Sequence, residues 1–281
     1  MSKIQWFPGH MAKAIREIRE KRHEIDVIIE VLDARAPLAS RNPILDEIFP
    51  TKPKLLVLNK SDLADPIATK KWLQFFKNKN ITAINTNALS QKEIYKIENK
   101  ALSLAKEQNK NKKTIIKKNI VKAVVFGIPN TGKSSIINHL AKKNKAQTGY
   151  HPGKTKKQTW LSASPNFFIM DTPGILLPKF DNPEQSYALA ALNCIKKTHY
   201  QNDEIVIFLI SFFKINYAYP FAKKYNIEMP FPSNQAIIDQ IGIKRGCLSQ
   251  GNELDYERIY ELILKDFREG KIGKISLEEA S

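Results

Sequence analysis

The chain lacks the features that mark disulfide-stapled, metal-clustered or membrane-spanning proteins. Among its 281 residues only two are cysteines, Cys194 and Cys247, and their wide separation fits neither a disulfide framework nor a zinc site. No run of about 18 apolar residues occurs, the N-terminus lacks a signal-peptide core, and no lipidation motif is present. We therefore expect a cytoplasmic protein with reduced, buried thiols and no membrane partner.

Acidic residues are scarce relative to basic ones. The chain has 28 Asp and Glu residues against 45 Lys and Arg, which gives a formal net charge of +17. A surplus of this size favours a polyanionic partner, because each phosphate that a basic side chain neutralises releases condensed counterions.

Hydrophobic residues make up 42% of the chain, which is enough for a buried core. Up to Gly174, short apolar runs that indicate strands alternate with segments of helical periodicity. The predicted strands are 25–32, 55–58, 81–84, 120–126, 160–163 and 167–170, and the predicted helices are 11–23, 66–77, 94–106 and 133–142. This alternation predicts an α/β fold with a mainly parallel sheet that carries helices on both faces.

The pattern changes after Gly174. Asn182-Pro183-Glu184-Gln185 combines a helix N-cap with a proline at the first helical position, and the apolar spacing from there to Lys274 is helical. We therefore predict two domains, an α/β domain over residues 1–178 and a small all-α C-terminal domain over residues 179–281.

Residues 127–134 fit the phosphate-binding pattern G-x-x-x-x-G-K-S in full, directly after a predicted strand. This context is typical of a P-loop NTPase, in which the loop amides and the following helix N-terminus face the phosphates. Lys133 is expected to reach the β and γ phosphates, and Ser134 to bind Mg²⁺. The other nucleotide-binding candidates of this segment are Asn130, Thr131, Gly132 and Ser135.

A second motif, Asn59-Lys60-Ser61-Asp62, stands at the carboxyl end of another predicted strand, where ligands bind in such sheets. The Asp62 carboxylate can accept two hydrogen bonds from guanine, a pair that adenine does not offer, so Asn59, Lys60 and Asp62 form the predicted base site. Asn85 and Thr86, after the next strand, are candidates for a backbone contact to the guanine oxygen.

Asp171-Thr172-Pro173-Gly174 follows the last predicted strand. Alone it reads as an ordinary turn, but beside the other two motifs Asp171 is expected to hold Mg²⁺ through water and the Gly174 amide to sense the γ-phosphate. A threonine between the phosphate loop and this segment should also bind Mg²⁺. Thr155 is the first candidate for that threonine, with Thr148 and Thr159 as competitors.

The base motif precedes the phosphate loop, the reverse of the usual order, so the chain resembles the circularly permuted GTPases. It is most similar to the ribosome biogenesis GTPase A family (RbgA, also called YlqF), and the similarity extends over nearly the whole chain. The further segments that carry the resemblance are Trp6–Met11, Asp33–Pro37, Pro152–Thr155 and Asp266–Gly273.

The resemblance implies a GTPase domain followed by a helical RNA-binding domain, and a role late in assembly of the large (50S) ribosomal subunit. The glutamine that orients the attacking water in other GTPases is replaced here by Ile175, and the resemblance gives that role to His10. It also implies that Asn130 holds K⁺. Lys133, His10 and Gly174 are then the expected catalytic residues, with GTP or GDP, Mg²⁺ and K⁺ as ligands.

We therefore expect a ribosome-stimulated GTPase that binds the immature large subunit and its rRNA and is released on hydrolysis, with no DNA partner. The best RNA candidates are the helix over 12–22 and the basic group Lys265, Arg268, Lys271 and Lys274. Two alternatives remain open at this stage: a GTP-gated RNA-binding module with incidental hydrolysis, and a GTPase that acts on another ribosomal RNA.

Overall fold

A computed structural model describes residues 9–110, 120–141, 160–172, 174 and 182–280. These residues divide into two compact units. The nucleotide unit contains the described residues up to 174 together with 278–280, and the helical unit contains 182–277. The predicted boundary near residue 178 falls outside the described residues, so the domain limits stay a prediction.

The nucleotide unit is built on one six-stranded sheet. Its strands are β1 (Val27–Asp33), β2 (Lys54–Asn59), β3 (Thr82–Asn85), β4 (Val121–Phe126), β5 (Trp160–Ser164) and β6 (Phe167–Asp171). Their spatial order is β3-β2-β1-β4-β6-β5, and all neighbours are parallel except β5, which pairs antiparallel with β6. The predicted mainly parallel sheet is confirmed, and the carboxyl ends of β1, β2 and β4 meet at one edge.

Helices cover both faces of this sheet, as the near-continuous apolar strands predict. They are α1 (Gly9–Lys21), α2 (Ile44–Ile48), α3 (Pro66–Asn78), α4 (Gln91–Lys110) and α5 (Lys133–Ala141). Buried residues of α4 and α5 pack on one face, and Trp72 and Phe76 of α3 pack on the other. All seven side chains of β1 are buried, which places β1 at the centre of the unit.

The helical unit consists of α6 (Pro183–Ala191), α7 (Asn202–Asn216), α8 (Ala218–Tyr225), α9 (Asn234–Arg245) and α10 (Tyr256–Arg268). The predicted cap at its start is present, since the Asn182 side chain accepts a hydrogen bond of 2.8 Å from the Glu184 amide. Ile259, Ile263 and Phe267 of α10 are buried along one face, at helical spacing. The all-helical character expected of this region is therefore confirmed.

No pattern in the sequence indicates that residues 278–280 pack on the nucleotide unit. The Glu278 carboxylate accepts hydrogen bonds from the backbone amides of Leu38 (2.7 Å) and Ala39 (2.8 Å). The Trp72 indole N–H donates to the Glu278 carbonyl at 3.3 Å. Burial raises the pKa of Glu278 to about 7, although the two amides oppose that shift. The loop after β1 is thus braced by residues about 240 positions away.

Both cysteines are buried free thiols, as expected. No single helix among the described residues is long and apolar enough to cross a membrane. The pair formed by α7 and α8 reaches the required length and apolarity only together, and it bends by 119° at the junction.

Candidate nucleotide-binding site

The phosphate loop connects β4 to α5 at the centre of the sheet edge. Asn130 (φ 63°) and Gly132 (φ 92°) both lie in the left-handed region, which lets the chain turn back on itself between strand and helix. A Cβ atom on Gly132 would lie 2.1 Å from the Asn59 Nδ2 atom, so only glycine fits there. The Thr131 hydroxyl donates to the Ile128 carbonyl at 3.0 Å and closes the turn.

One cavity of about 510 Å³ opens over this loop. Seven of the predicted site residues line it: Lys60, Asn130, Gly132, Lys133, Ser134, Ser135 and Gly174. Ile128 and Pro129 complete the lining, and the sequence did not single them out. The base motif, the phosphate loop and the Asp-x-x-Gly segment therefore converge on one site, as their order along the chain predicted.

Asn59 lies behind the phosphate loop and joins it to the connection between β3 and α4. Its Nδ2 donates to the Thr131 carbonyl at 2.7 Å, and its Oδ1 accepts from the Ala88 amide at 2.9 Å. The side chain is buried, so both ends of the amide are used within the protein. Asn59 holds the phosphate loop against the segment after β3, a role that the sequence motif alone did not indicate.

Lys60 crosses from the base motif to the phosphate loop. It also adopts a left-handed backbone (φ 59°), and its ammonium donates to the Asn130 carbonyl at 2.6 Å and to Asp33 Oδ2 at 2.9 Å. Burial of Asp33 opposes its ionisation, but the charges of Arg35 and Lys60 outweigh this and hold the pKa of Asp33 well below its usual range. The only sequence signal for Asp33 and Arg35 was the family resemblance of that segment.

The remaining base-site candidates lie outside the phosphate cavity. The Asp62 side chain is exposed in the turn after β2. Asn85 is exposed as well, whereas Thr86 is fully buried and its carbonyl accepts from the Ser61 amide at 3.1 Å. Their contacts with guanine stay predictions.

The groups that would hold the γ-phosphate and Mg²⁺ meet beside α5. Lys133 forms an ion pair with Asp171, and the Ser134 side chain is exposed at the helix N-terminus. A Cβ atom on Gly174 would lie 3.0 Å from the Pro129 nitrogen, so the backbone of this glycine lies directly against the phosphate loop.

These donors fit Mg²⁺, because a hydroxyl and a carboxylate are the hard oxygen ligands that it prefers alongside phosphate oxygens and water. No group of three or more His, Cys, Asp or Glu residues suited to a metal occurs in the described part of the chain. Among the described residues, side chains alone therefore do not supply a complete set of metal ligands.

Some predicted site residues are not described. Thr155, its competitors Thr148 and Thr159, and Ile175 lie outside the described residues. His10 lies in the first turn of α1, where the structure describes the backbone but not the side chain. The assignments of Thr155 and His10 therefore stay predictions.

Comparison with known proteins gives one consistent family. Residues 122–230 match the 50S ribosome-binding GTPase family. The chain is 42% identical to ribosome biogenesis GTPase A of Bacillus cereus, with 98% of this chain and 93% of the relative covered. It is 40% identical to the protein of the same name from Bacillus licheniformis, with 98% of each chain covered.

Solved structures agree with these relatives. The crystal structure of GNP-bound YlqF from Thermotoga maritima matches with a TM-score of 0.68 and 28% identity, covering 96% of this chain and 99% of that chain. A GDP-bound structure of the same protein matches equally well, with 29% identity. The motifs, the sheet and the relatives lead to one conclusion: this chain is a guanine-nucleotide-binding, GTP-hydrolysing member of the ribosome biogenesis GTPase A family.

Proposed function

We propose that this GTPase is a cytoplasmic assembly factor that binds the immature large ribosomal subunit and its rRNA with GTP and leaves after hydrolysis. The observation that carries the proposal is the contact of Gly174 with the phosphate loop at Pro129. Gly174 immediately precedes the segment that leads toward the helical unit. A change at the γ-phosphate can therefore alter the chain that enters that unit, which is the kind of order–disorder coupling that GTPases use.

Hydrolysis in this site would depend on positioning and charge neutralisation. Lys133 would leave Asp171 for the β and γ phosphates, and the loop amides would hold the other phosphate oxygens. Ser134, Thr155 and Asp171 would hold Mg²⁺, which when bound neutralises charge on the phosphates. Asn130, whose side chain is exposed in the phosphate loop, would hold K⁺.

Slow turnover of the isolated protein follows from the residue after Gly174. Ile175 has no polar group with which to orient water. A neutral imidazole can do so near neutral pH, because the unperturbed pKa of histidine is about 6.5. We therefore assign water positioning to His10, completed when the subunit is bound.

Two separate regions would contact RNA, α1 in the nucleotide unit and the helical domain, residues 179–281. Arg16, Arg19 and Arg22 at α1 are exposed and would contact phosphates, which provides affinity more than sequence specificity. Arg268 is no longer a good candidate, since its guanidinium donates to the carbonyls of Ala190 (3.0 Å) and Ala191 (2.8 Å). Lys274 remains an exposed candidate.

Co-sedimentation with purified subunits tests the proposed partner. The wild-type chain with a non-hydrolysable GTP analogue should pellet with large but not small subunits, and GDP should release it. Arg16→Ala combined with Arg19→Ala should weaken binding, about tenfold for each lost phosphate contact at low salt. Lys70→Ala with Lys71→Ala, a matched pair on α3, should not.

Other outcomes of the co-sedimentation experiment would contradict the proposal or favour the alternative. Equal binding to both subunits, or binding that ignores the nucleotide, would contradict the proposal. Tight GTP-dependent binding to the large subunit without any stimulated turnover would instead favour a nucleotide-gated RNA-binding module.

A further inference from the structure

The carboxylate of Asp33 lies at the end of β1, beside the nucleotide cavity, and accepts four hydrogen bonds. Its Oδ1 accepts from the Arg35 amide (3.1 Å) and Nε (2.9 Å), and its Oδ2 accepts from Arg35 Nη2 (2.9 Å) and Lys60 Nζ (2.9 Å). The side chains of Asp33 and Arg35 are 0% and 2% exposed. This is a bidentate, buried ion pair that carries one additional cation, Lys60.

Stability alone gives little reason for such a pair. Two charges removed from water lose hydration energy that their attraction only partly returns, so apolar residues of similar volume are often as stabilising. Arg35 already balances the charge of Asp33, and the Lys60 ammonium is therefore a third partner. Lys60 is also the member of the group that lines the nucleotide cavity, with 25% of its side chain exposed.

The geometry gives Asp33 a link to the phosphate loop. The Lys60 ammonium spans Asp33 Oδ2 and the Asn130 carbonyl, and so connects the end of β1 to the turn of the loop. Lys60 and Asn130 both adopt left-handed backbones. Asparagine adopts this conformation readily, whereas lysine holds it only where the surroundings fix it. A carboxylate outside the cavity thereby fixes a cation inside it and the loop carbonyl that the cation holds.

We propose that Asp33, oriented by Arg35, is a positioning residue for nucleotide binding that acts through Lys60. The proposal rests on the nucleotide site described above and is independent of the ribosomal partner. Asp33 does not line the cavity, so we expect its effect on the nucleotide to pass through the Lys60 ammonium.

A double-mutant cycle tests this route. The variants are Asp33→Asn, Lys60→Met and their combination, and the measurement is the dissociation constant of fluorescent GDP and GTP analogues for the full chain. Asp33→Asn should weaken binding roughly 10- to 100-fold, the effect of losing one or two charged hydrogen bonds. With Lys60→Met already present, Asp33→Asn should cause no further weakening.

A charge-neutral variant distinguishes an effect on nucleotide binding from loss of folding. Asp33→Asn alone leaves the buried Arg35 unbalanced, so Asp33→Asn combined with Arg35→Met removes both charges and should retain the fold. This combination should weaken nucleotide binding as Asp33→Asn does, while its thermal unfolding temperature stays near that of the wild type. A purely structural role would lower the unfolding temperature and leave the dissociation constant unchanged.

A matched carboxylate on the same strand provides the reference. Glu30 of β1 is also buried and paired with an arginine, Arg41, and it accepts from the Asn42 amide at 2.8 Å. Glu30→Gln should lower stability without changing nucleotide affinity. The proposal is overturned if Asp33→Asn behaves like Glu30→Gln, or if the Asp33 and Lys60 effects multiply. Failure of the wild-type chain to bind either nucleotide would instead refute the site itself.

Discussion

Replacement of Gly132 by alanine is expected to reduce guanine nucleotide affinity by at least about 100-fold. The new Cβ would lie 2.1 Å from Asn59 Nδ2, so the Asn59 side chain has to move. It would then lose its bonds to the Thr131 carbonyl and the Ala88 amide. Two buried hydrogen bonds contribute about 1–2 kcal/mol each, and their loss would release the phosphate loop from its support. Titration with a fluorescent GDP analogue measures the change.

Gly251 provides a control with nearly the same φ angle. Its φ of 89° matches the 92° of Gly132, but a Cβ there would meet nothing within 4 Å. Gly251→Ala therefore carries the conformational cost, about 1 kcal/mol, without the collision. It should lower stability slightly and leave nucleotide affinity intact. If Gly132→Ala and Gly251→Ala bound the nucleotide equally well, the packing of Asn59 against the loop would not matter for binding.

Asp62→Asn is expected to exchange guanine for xanthine as the preferred base. The carboxylate is expected to accept from two guanine donors, and an asparagine would direct its own N–H group at one of them. GTP affinity should fall at least about 100-fold, because sites that pair hydrogen bonds with a substrate discriminate strongly against a mismatch. Xanthosine triphosphate, which has an oxygen at the mismatched position, should bind the variant more tightly than GTP does. Competition between the two triphosphates measures the reversal.

Asp65→Asn is the control that distinguishes loss of guanine recognition from a general effect of replacing a carboxylate in the same loop. Its carboxylate caps α3 by accepting from the amides of Ile67 (2.7 Å) and Ala68 (3.2 Å). Asp65→Asn should cost at most about 1 kcal/mol of stability, since asparagine is also a good N-cap, and should not change base preference. Unchanged GTP affinity in Asp62→Asn would show that another residue reads the base.

The sequence predicted those parts of the site that depend on local spacing. Lys133 and Ser134 follow directly from the phosphate-loop pattern and its place after a strand, and the structure places both at one cavity with Lys60. The strands were predictable for a similar reason, because runs such as Val27–Asp33 are mostly apolar, and all seven of its side chains are buried. The phosphate loop and the strands were both predictable because residues close together in the chain determine their local structure.

What the sequence did not indicate depends on distant contacts. Nothing near Glu278 shows that its carboxylate will meet amides about 240 residues earlier. Asn59 was predicted as a nucleotide-binding residue, and its use as a brace between Thr131 and Ala88 appears only once the strands are aligned. The five-residue helix α2 was missed because so short a segment has no detectable period.

Asp33 illustrates the same limit within the site. Its charge state and its four hydrogen bonds come from Arg35, which is local, and from Lys60, which reaches it only through the pairing of β1 with β2. In that register Asp33 lies opposite Asn59, the first residue of the base motif. An acidic residue at the end of a buried strand has no recognisable role until its neighbour in the sheet is known.

The most direct test of the central claim is GTP turnover in K⁺ buffer, measured for the chain alone, with purified small subunits and with purified large subunits. The account predicts slow turnover alone, strong stimulation by large subunits only, and loss of that stimulation in Lys133→Ala. Equal turnover with and without large subunits would contradict the claim that the ribosome completes this site.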